Sequence, residues 1–413
     1  MFLKNLQGAN AKFIAKIHVT HAKKVDGRMT PQYSSAFMFK TMVSLFFFQT
    51  RSINSFIEHD IVHGNLDRPG GRTLAYYLER TSVSLMNHTL WDQAYTAMRL
   101  KQLDGLRGRD GRWTLAFDGV SFTYSTKRHC EKCLETTHDG VTSYHHSLLV
   151  ASIVNKAKKV SIVVAVIPIE NKPGWTKQSC ELSAAREMLN HLRTMNPYLH
   201  YNITVDGLYL AAEFVDQAVK QGHSVTMPLA KENMVIFKIL DVRLGNNRPT
   251  LKTESIDTLM SVVYESENIA PYWESLNKLN FSINIYGMKR TILNKKTGEI
   301  RECLIVSTIQ PNEKNVIRLS DIQREKWQEE NKTFNDLKNH HYLKHIFNHK
   351  AQAQTFIFAA IATNMRTIAF LRHSPQKYIK KPLTLAAILS AILVICEQDV
   401  LKLFLTTIQQ TFG

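Results

Sequence analysis

No stretch of this chain is apolar for long enough to cross a membrane. The longest run, Leu383–Cys396 (LTLAAILSAILVIC), has fourteen residues. A spanning helix needs about 20, so this run reads as a buried core helix and no membrane partner is expected. The N-terminal stretch is basic but lacks an apolar segment, so no secretory signal is expected. Cysteine is scarce and odd in number: Cys130, Cys133, Cys180, Cys303 and Cys396. That count argues against a disulfide framework and for a reducing compartment. Internal repeats and low-complexity tracts are missing. Acidic residues are in deficit, with 35 Asp and Glu against 52 Lys and Arg, a formal net charge of +17 and a pI near 9.5. An excess of this sign points to a polyanionic partner, although a solvated basic surface has the same composition. The charge is concentrated at the ends. Residues 1–112 hold sixteen Lys/Arg against eight Asp/Glu, and residues 338–413 hold nine against two. A nearly balanced centre between basic arms suits a catalytic core flanked by segments that hold nucleic acid.

What is present divides into blocks. Residues 1–110 read as helical, with Thr30 as a cap and Pro31 in the first turn of TPQYSSAFMFKTMVSLFFFQT. The basic, glycine-rich GLRGRDGR (105–112) marks a boundary. From residue 111 to 231 the pattern alternates between strands and helices. WTLAFDGVSFTYS reads as strand, turn and strand. SYHHSLLVASIV and KVSIVVAVIPIE are the unbroken apolar runs of central strands. CELSAAREMLNHLRTM is an amphipathic helix, and YNITVDGLYLAAEFVDQAVKQG a strand then a helix closed by Gly222. Residues 232–320 read as all β, including MVIFKILDVRL. Residues 321–413 return to helices. The fold class expected is α/β: a mixed sheet with flanking helices, a β-rich insertion and a helical N-terminal region.

Two carboxylates stand out. Asp118 ends TLAFD and Asp206 ends YNITVD; each is followed by glycine. Acidic groups at strand exits are common catalytic positions in α/β sheets, though either dipeptide alone is an ordinary turn signal. If the two strands are neighbours, their like charges require a cation between them. Hard oxygen donors in small number suit Mg²⁺ or Mn²⁺. A third carboxylate would complete a two-metal site for in-line attack at phosphorus. REKWQEENKTFNDLK (324–338) supplies one from a helix that also carries Trp327 and Phe334.

AFDGVSF, VDGLYLA and WQEENKTFNDLKN, in this order, resemble the three acidic motifs of DDE-type transposases of bacterial insertion sequences. CEKCLETTHDGVTSYHHSLLVASIV, KQSCELSAAREML and ENKTFNDLKNHHYLKHIFNH resemble further segments of one subgroup. The likeness covers roughly 115–230 and 320–350. It implies an RNase H-like core with a β-rich insertion between the second Asp and the Glu. It also implies Asp118, Asp206 and Glu330 as ligands of two Mg²⁺ or Mn²⁺ ions. Glu330 is preferred to Glu329 because it precedes Asn331, and Trp327, Glu330, Phe334 and Lys338 then share roughly one helical face. On that reading Trp327 and Phe334 seat the helix on the sheet, and Arg324, Lys338, Trp327 and Lys231 are the DNA contacts. The implied partners are double-stranded DNA, both terminal inverted repeats and target, and a second copy of the chain. The implied location is the bacterial cytoplasm, at the nucleoid. A nuclease with the same core, or a DNA-binding protein that has lost catalysis, shares these features. Glu329 stands where relatives carry an apolar residue, Ser179 where they carry an acid, and His340 and His341 where a basic residue and Gly are usual.

HCEKC contains Cys130-x-x-Cys133, half of a Zn²⁺ site. A second ligand pair at standard spacing is not apparent. Cys180 or a histidine would have to complete the site in space; two reduced thiols fit equally well. The His-rich run from His340 to His349 reads as phosphate contacts and packing rather than as metal ligands.

Overall fold

The computed structural model describes residues 26–27, 32–47, 52–62, 69–171, 180–245, 250–279, 283–340 and 348–373. The apolar run at Leu383–Cys396 lies outside them, as do Thr30, Pro31 and Ser179. Among the described residues four helices precede the strands: α1 (Ser35–Phe47), α2 (Ile53–Val62), α3 (Gly71–Arg80) and α4 (Val83–Arg99). Their apolar residues recur three and four apart, which gathers them on one side; in α1 these include Met38, Phe39, Met42 and Phe46. Helix α1 begins at Ser35, and the expected cap and first-turn residues Thr30 and Pro31 lie outside the described residues. Residues 32–34 are non-helical, and the Ser34 hydroxyl accepts from the Phe37 N–H at 3.2 Å, satisfying a first-turn amide.

Trp113–Ser125 forms one strand of thirteen residues, β1, and not the strand, turn and strand expected. Glycine inside a strand usually marks a bend or a close approach. Here it is a close approach, because a Cβ at Gly119 would collide with the Glu181 carboxylate. The strands β2 (Leu134–His138) and β3 (Val141–Asn155) are joined by Asp139-Gly140. Both turn residues have positive φ, 49° and 76°, which a two-residue hairpin of matching twist requires. Next come β4 (Val160–Ile169), α5 (Glu181–Met195), β5 (Tyr201–Thr204), α6 (Ala212–Lys220) and β6 (Ser224–Pro228).

Residues 232–320 are not all β. MVIFKILDVRL, expected as a strand from its β-branched content, contains helix α7 (Val235–Gly245). Its buried residues Ile236, Leu240 and Leu244 lie four apart, so the helical face wins over local strand preference. Gly287 admits the Leu240 side chain where a Cβ would clash. The strands β7 (Thr250–Glu254), β8 (Thr258–Glu265), β9 (Tyr286–Asn294) and β10 (Ile300–Ser307) follow, with the short α8 (Glu274–Asn277) between β8 and β9. Last are α9 (Val316–Gln328), a π-helical segment over Glu329–Phe334, α10 (Asn335–His340) and α11 (Gln352–His373).

All ten strands belong to one mixed sheet, ordered β2-β3-β1-β5-β6-β10-β9-β8-β7, with β4 also paired to β3. The strands β1, β3 and β4 run antiparallel, whereas β5 and β6 run parallel to β1. The later strands join through β10, antiparallel to β6, so they prolong the sheet. Helices cover both faces. Leu149, Ala151 and Ile153 of β3 meet α5 and α6 in one core. Leu148 and Val150, of opposite parity, meet α1, α3 and α11 in another. A third core packs β8–β10 on Val316, Leu319 and Ile322 of α9.

The free side of β4 is closed by two asparagines. Asn364 of α11 accepts from Val163 N–H at 2.9 Å and donates to Val163 C=O at 2.7 Å. Asn87 of α4 does the same to Val166, at 2.8 and 2.6 Å. Each amide copies the pairing of a neighbouring strand, so backbone groups that a buried strand edge would leave unpaired are satisfied.

Candidate active site

The parallel register of β1 and β5 assembles the site. Ala116 pairs with Thr204, the last pair of the ladder. Asp118 and Asp206 each lie two residues beyond it, side by side on adjacent strands. Asp118 remains inside β1, opposite Val150 of β3, and its side chain is nearly buried. Asp206 has left β5; its Oδ1 accepts from Leu208 N–H at 2.8 Å and caps a turn. Its side chain is 43% exposed, so this end of the site opens to solvent. Gly207 permits the chain to pass Ala230, whose Cβ would stand 2.7 Å from an added one.

From above, α9 delivers Lys326. Its ammonium lies 2.9 Å from Asp118 Oδ1 and 3.9 Å from Asp206 Oδ2. Burial alone would lower its pKa; the attraction of Asp118 and Asp206 outweighs this and holds it above the ordinary value. The helix is fixed by Arg318, which donates to Glu325 at 2.7 Å and to Thr114 on β1 at 2.9 Å.

Two further carboxylates face this centre. Glu329, the first residue of the π-helical segment, is wholly buried, and neither of its oxygens has a hydrogen-bond partner among the described residues. The Ser152 hydroxyl lies beside it without completing a well-formed bond. Burial first, then the Asp118 charge, pushes the Glu329 carboxyl well above the usual range. Glu181, at the start of α5, comes over Gly119 and accepts from the Tyr209 hydroxyl at 3.0 Å. Its pKa is raised by burial, and also by Asp118 and Asp206, while the Tyr209 bond opposes the rise. Asp118, Asp206, Glu181 and Glu329 thus gather near the Lys326 ammonium, and a group of hard oxygen donors of this kind suits a small divalent cation.

The Glu329 side chain is placed against Asp118; that of Glu330, the expected third ligand, lies outside the described residues. The expected common face of Trp327, Phe334 and Lys338 is not formed. The π-helical segment widens the turn between Trp327 and Phe334 and shifts their phase. Phe334 is buried, but Trp327 is 58% exposed and does not seat the helix. The inward stripe is instead Ile322, Glu325, Lys326, Glu329, Thr333 and Leu337. Arg324 pairs with Asp321 at 3.8 Å and lies against Met260 of β8. Lys338 extends over the Phe334 ring, and Lys231, exposed just past Ala230, donates to Leu210 C=O at 3.4 Å. Glu181 and Lys326 were not legible as site residues in the sequence; only the approach of α5 and α9 to β1 reveals them.

Cys130 and Cys133 lie apart from these carboxylates, together with His146 of β3 and His349. All four ligand atoms fall within 4.8 Å of one another, a group that can hold a metal ion. The exposed Cys180, capping α5, is not part of this group, and the His-rich run, read as packing, contributes His349. Among the described residues no helix is long and apolar enough to cross a membrane. No protein-family model matches the chain, and no curated protein matches it.

Proposed function

We propose that this chain is a DNA transposase of the DDE type, cutting phosphodiester bonds at the ends of an insertion sequence and joining them to target DNA. The observation that carries the reading is the register that sets Asp118 beside Asp206 with Glu329 facing Asp118. The order β4-β3-β1-β5-β6, three antiparallel strands and then two parallel ones, supports an RNase H-like core. On this reading α7 and β7–β10 are the insertion between the second Asp and the Glu.

Two Mg²⁺ or Mn²⁺ ions fit the donors present. Asp118, Asp206 and Glu329 would hold them, with Glu181 adjacent, and the buried oxygens of Glu329, which make no well-formed hydrogen bond among the described residues, are donors such a cation could take. When bound, the ions supply electrostatic stabilisation of the attacking and leaving oxygens. The chain does the rest. Asp206 faces the open side, where a phosphate enters. The Lys326 ammonium limits repulsion between Asp118 and Asp206 before the cations arrive. The π-helical segment fixes Glu329 in a dry setting, where charge interactions are strong. Lys231, Arg324, Lys338 and the exposed Trp327 border the DNA path, with the basic N- and C-terminal regions as arms. A dimer on paired DNA ends, at the bacterial nucleoid, completes the reading.

The test uses the full chain, a duplex bearing the inverted repeats that flank its coding sequence, a target plasmid and Mg²⁺. Wild type should cleave and join. Asp118→Asn and Glu329→Gln should still bind the duplex but lose both steps. Cleavage without joining would indicate a nuclease, and binding alone would remove the catalytic claim. An inactive Glu330→Gln beside an active Glu329→Gln would move the third ligand by one residue.

A further inference from the structure

We propose that Cys130, Cys133, His146 and His349 form a tetrahedral Zn²⁺ site that fastens the chain beyond the third-acid helix to the β1–β2 turn and to β3. This inference stands apart from the transposase reading, since it rests on thiol and imidazole geometry alone.

The distances carry it. Cys130 Sγ and Cys133 Sγ are 3.8 Å apart. Sulfur to His146 Nε2 measures 3.6 Å from Cys130 and 3.4 Å from Cys133, and Cys133 Sγ to His349 Nε2 is 3.6 Å. The two imidazole Nε2 atoms are 3.4 Å apart. Zinc bonds of ~2.3 Å to sulfur and ~2.0–2.1 Å to nitrogen, at tetrahedral angles, give edges of about 3.8 Å (S to S), about 3.6 Å (S to N) and about 3.3 Å (N to N). Five of the six edges agree with these values to about 0.2 Å on that geometry, and the sixth, from Cys130 Sγ to His349 Nε2, lies within 4.8 Å. A soft, mixed S₂N₂ set of this shape selects Zn²⁺ over the hard cations suited to carboxylates.

The local structure prepares the ligands. Cys130 and Cys133 sit in a tight turn between β1 and β2, closed by Cys133 N–H to Cys130 C=O at 3.0 Å. The Cys130 N–H points at Cys133 Sγ at 3.4 Å, which orients the sulfur within the turn. His146 is held on β3 opposite Phe122 of β1, and His349 opens the turn leading into α11. The contacts span up to 216 residues of sequence, so the ion would close a long loop and constrain the unfolded chain.

The experiment measures metal content and coordination in the full chain purified without chelator. The expected result is one Zn²⁺ per chain. X-ray absorption should show two sulfurs near ~2.3 Å and two nitrogens near ~2.0 Å. Cys130→Ser and His349→Asn should each weaken Zn²⁺ binding beyond the roughly 10–100-fold lost when second-shell support is removed. Asp118→Asn should keep its zinc, which separates this site from the carboxylates. Should a variant fail to fold, stripping and reloading the wild type with Co²⁺ must give the visible spectrum of a tetrahedral thiolate site. Absence of stoichiometric metal, oxygen-dominated coordination, a Cys130–Cys133 disulfide or unchanged affinity in both variants would each overturn the proposal.

Discussion

Glu329 is the most deeply buried carboxyl of the proposed site. Burial, then the Asp118 charge, holds it well above the usual carboxylate range, and a cation beside it would lower the cost of ionising it. Glu329→Gln should therefore preserve the melting temperature of the metal-free protein and abolish the rise produced by Mg²⁺. Activity should fall by on the order of 10³-fold or more. Scanning calorimetry with and without Mg²⁺ checks the first part; a persistent Mg²⁺ shift would place the ligand elsewhere. A second residue effect concerns β5. His223 is buried, accepts from Tyr201 N–H at 3.2 Å, and has its pKa lowered to about 4 by burial, then by His200 and Arg112. Its folded pKa lies below its unfolded value of 6.5. The unfolded chain thus takes up the proton first, and the stability is present above that value and lost as pH falls toward about 4. Denaturant titrations of wild type and His223→Asn should converge, or cross, by on the order of 2 kcal/mol between about pH 7 and pH 4.5. At this scale Asp206 was legible as a carboxylate past the end of a strand, whereas Asp118, expected at a strand exit, lies inside β1, which runs on to Ser125. The sequence was silent about Glu181, which reaches the centre only because Gly119 lacks a side chain.

The same contrast recurs in the elements. Strands β3 and β4 were legible as continuous apolar runs, and α5 and α6 as amphipathic helices. Helix α7 was misread because its β-branched residues suggest a strand, whereas its packing uses Ile236, Leu240 and Leu244. The π-helical segment has no sequence signature, so the phase of the helix across Trp327 and Phe334 could not be read. Nor could the asparagine closure of β4, which joins residues up to 201 apart in sequence. Asn364→Ala would leave the Val163 N–H and C=O buried without partners and should cost about 2–4 kcal/mol. Equilibrium unfolding measures it. A loss below about 0.5 kcal/mol, the usual range for an inconsequential surface change, would mean that the edge is solvated.

At the scale of the whole molecule, the described strands form one ten-stranded sheet that runs through several of the blocks read from sequence. The N-terminal helices share a core with β3, β4 and α11, and the strands of 232–320 continue the central sheet. Strand order depends on contacts between distant segments, which periodicity does not encode. The charge distribution was legible from composition alone and carries its own prediction. If basic ends hold the DNA backbone through six or more contacts, affinity for duplex should fall by roughly 10³-fold or more between about 50 and 200 mM salt. Fluorescence anisotropy across that range tests it, and a flat response would remove the polyanion from the account.

The pairing of β1 with β5 has a consequence for how such a chain can change. Asp118 and Asp206 are both reached by counting two residues past the Ala116–Thr204 pair. Loss or gain of one residue at either count turns that carboxylate to the opposite face of the sheet. The two short spans should therefore be fixed in length, and their inner residues Phe117 and Val205, both fully buried, held to apolar side chains.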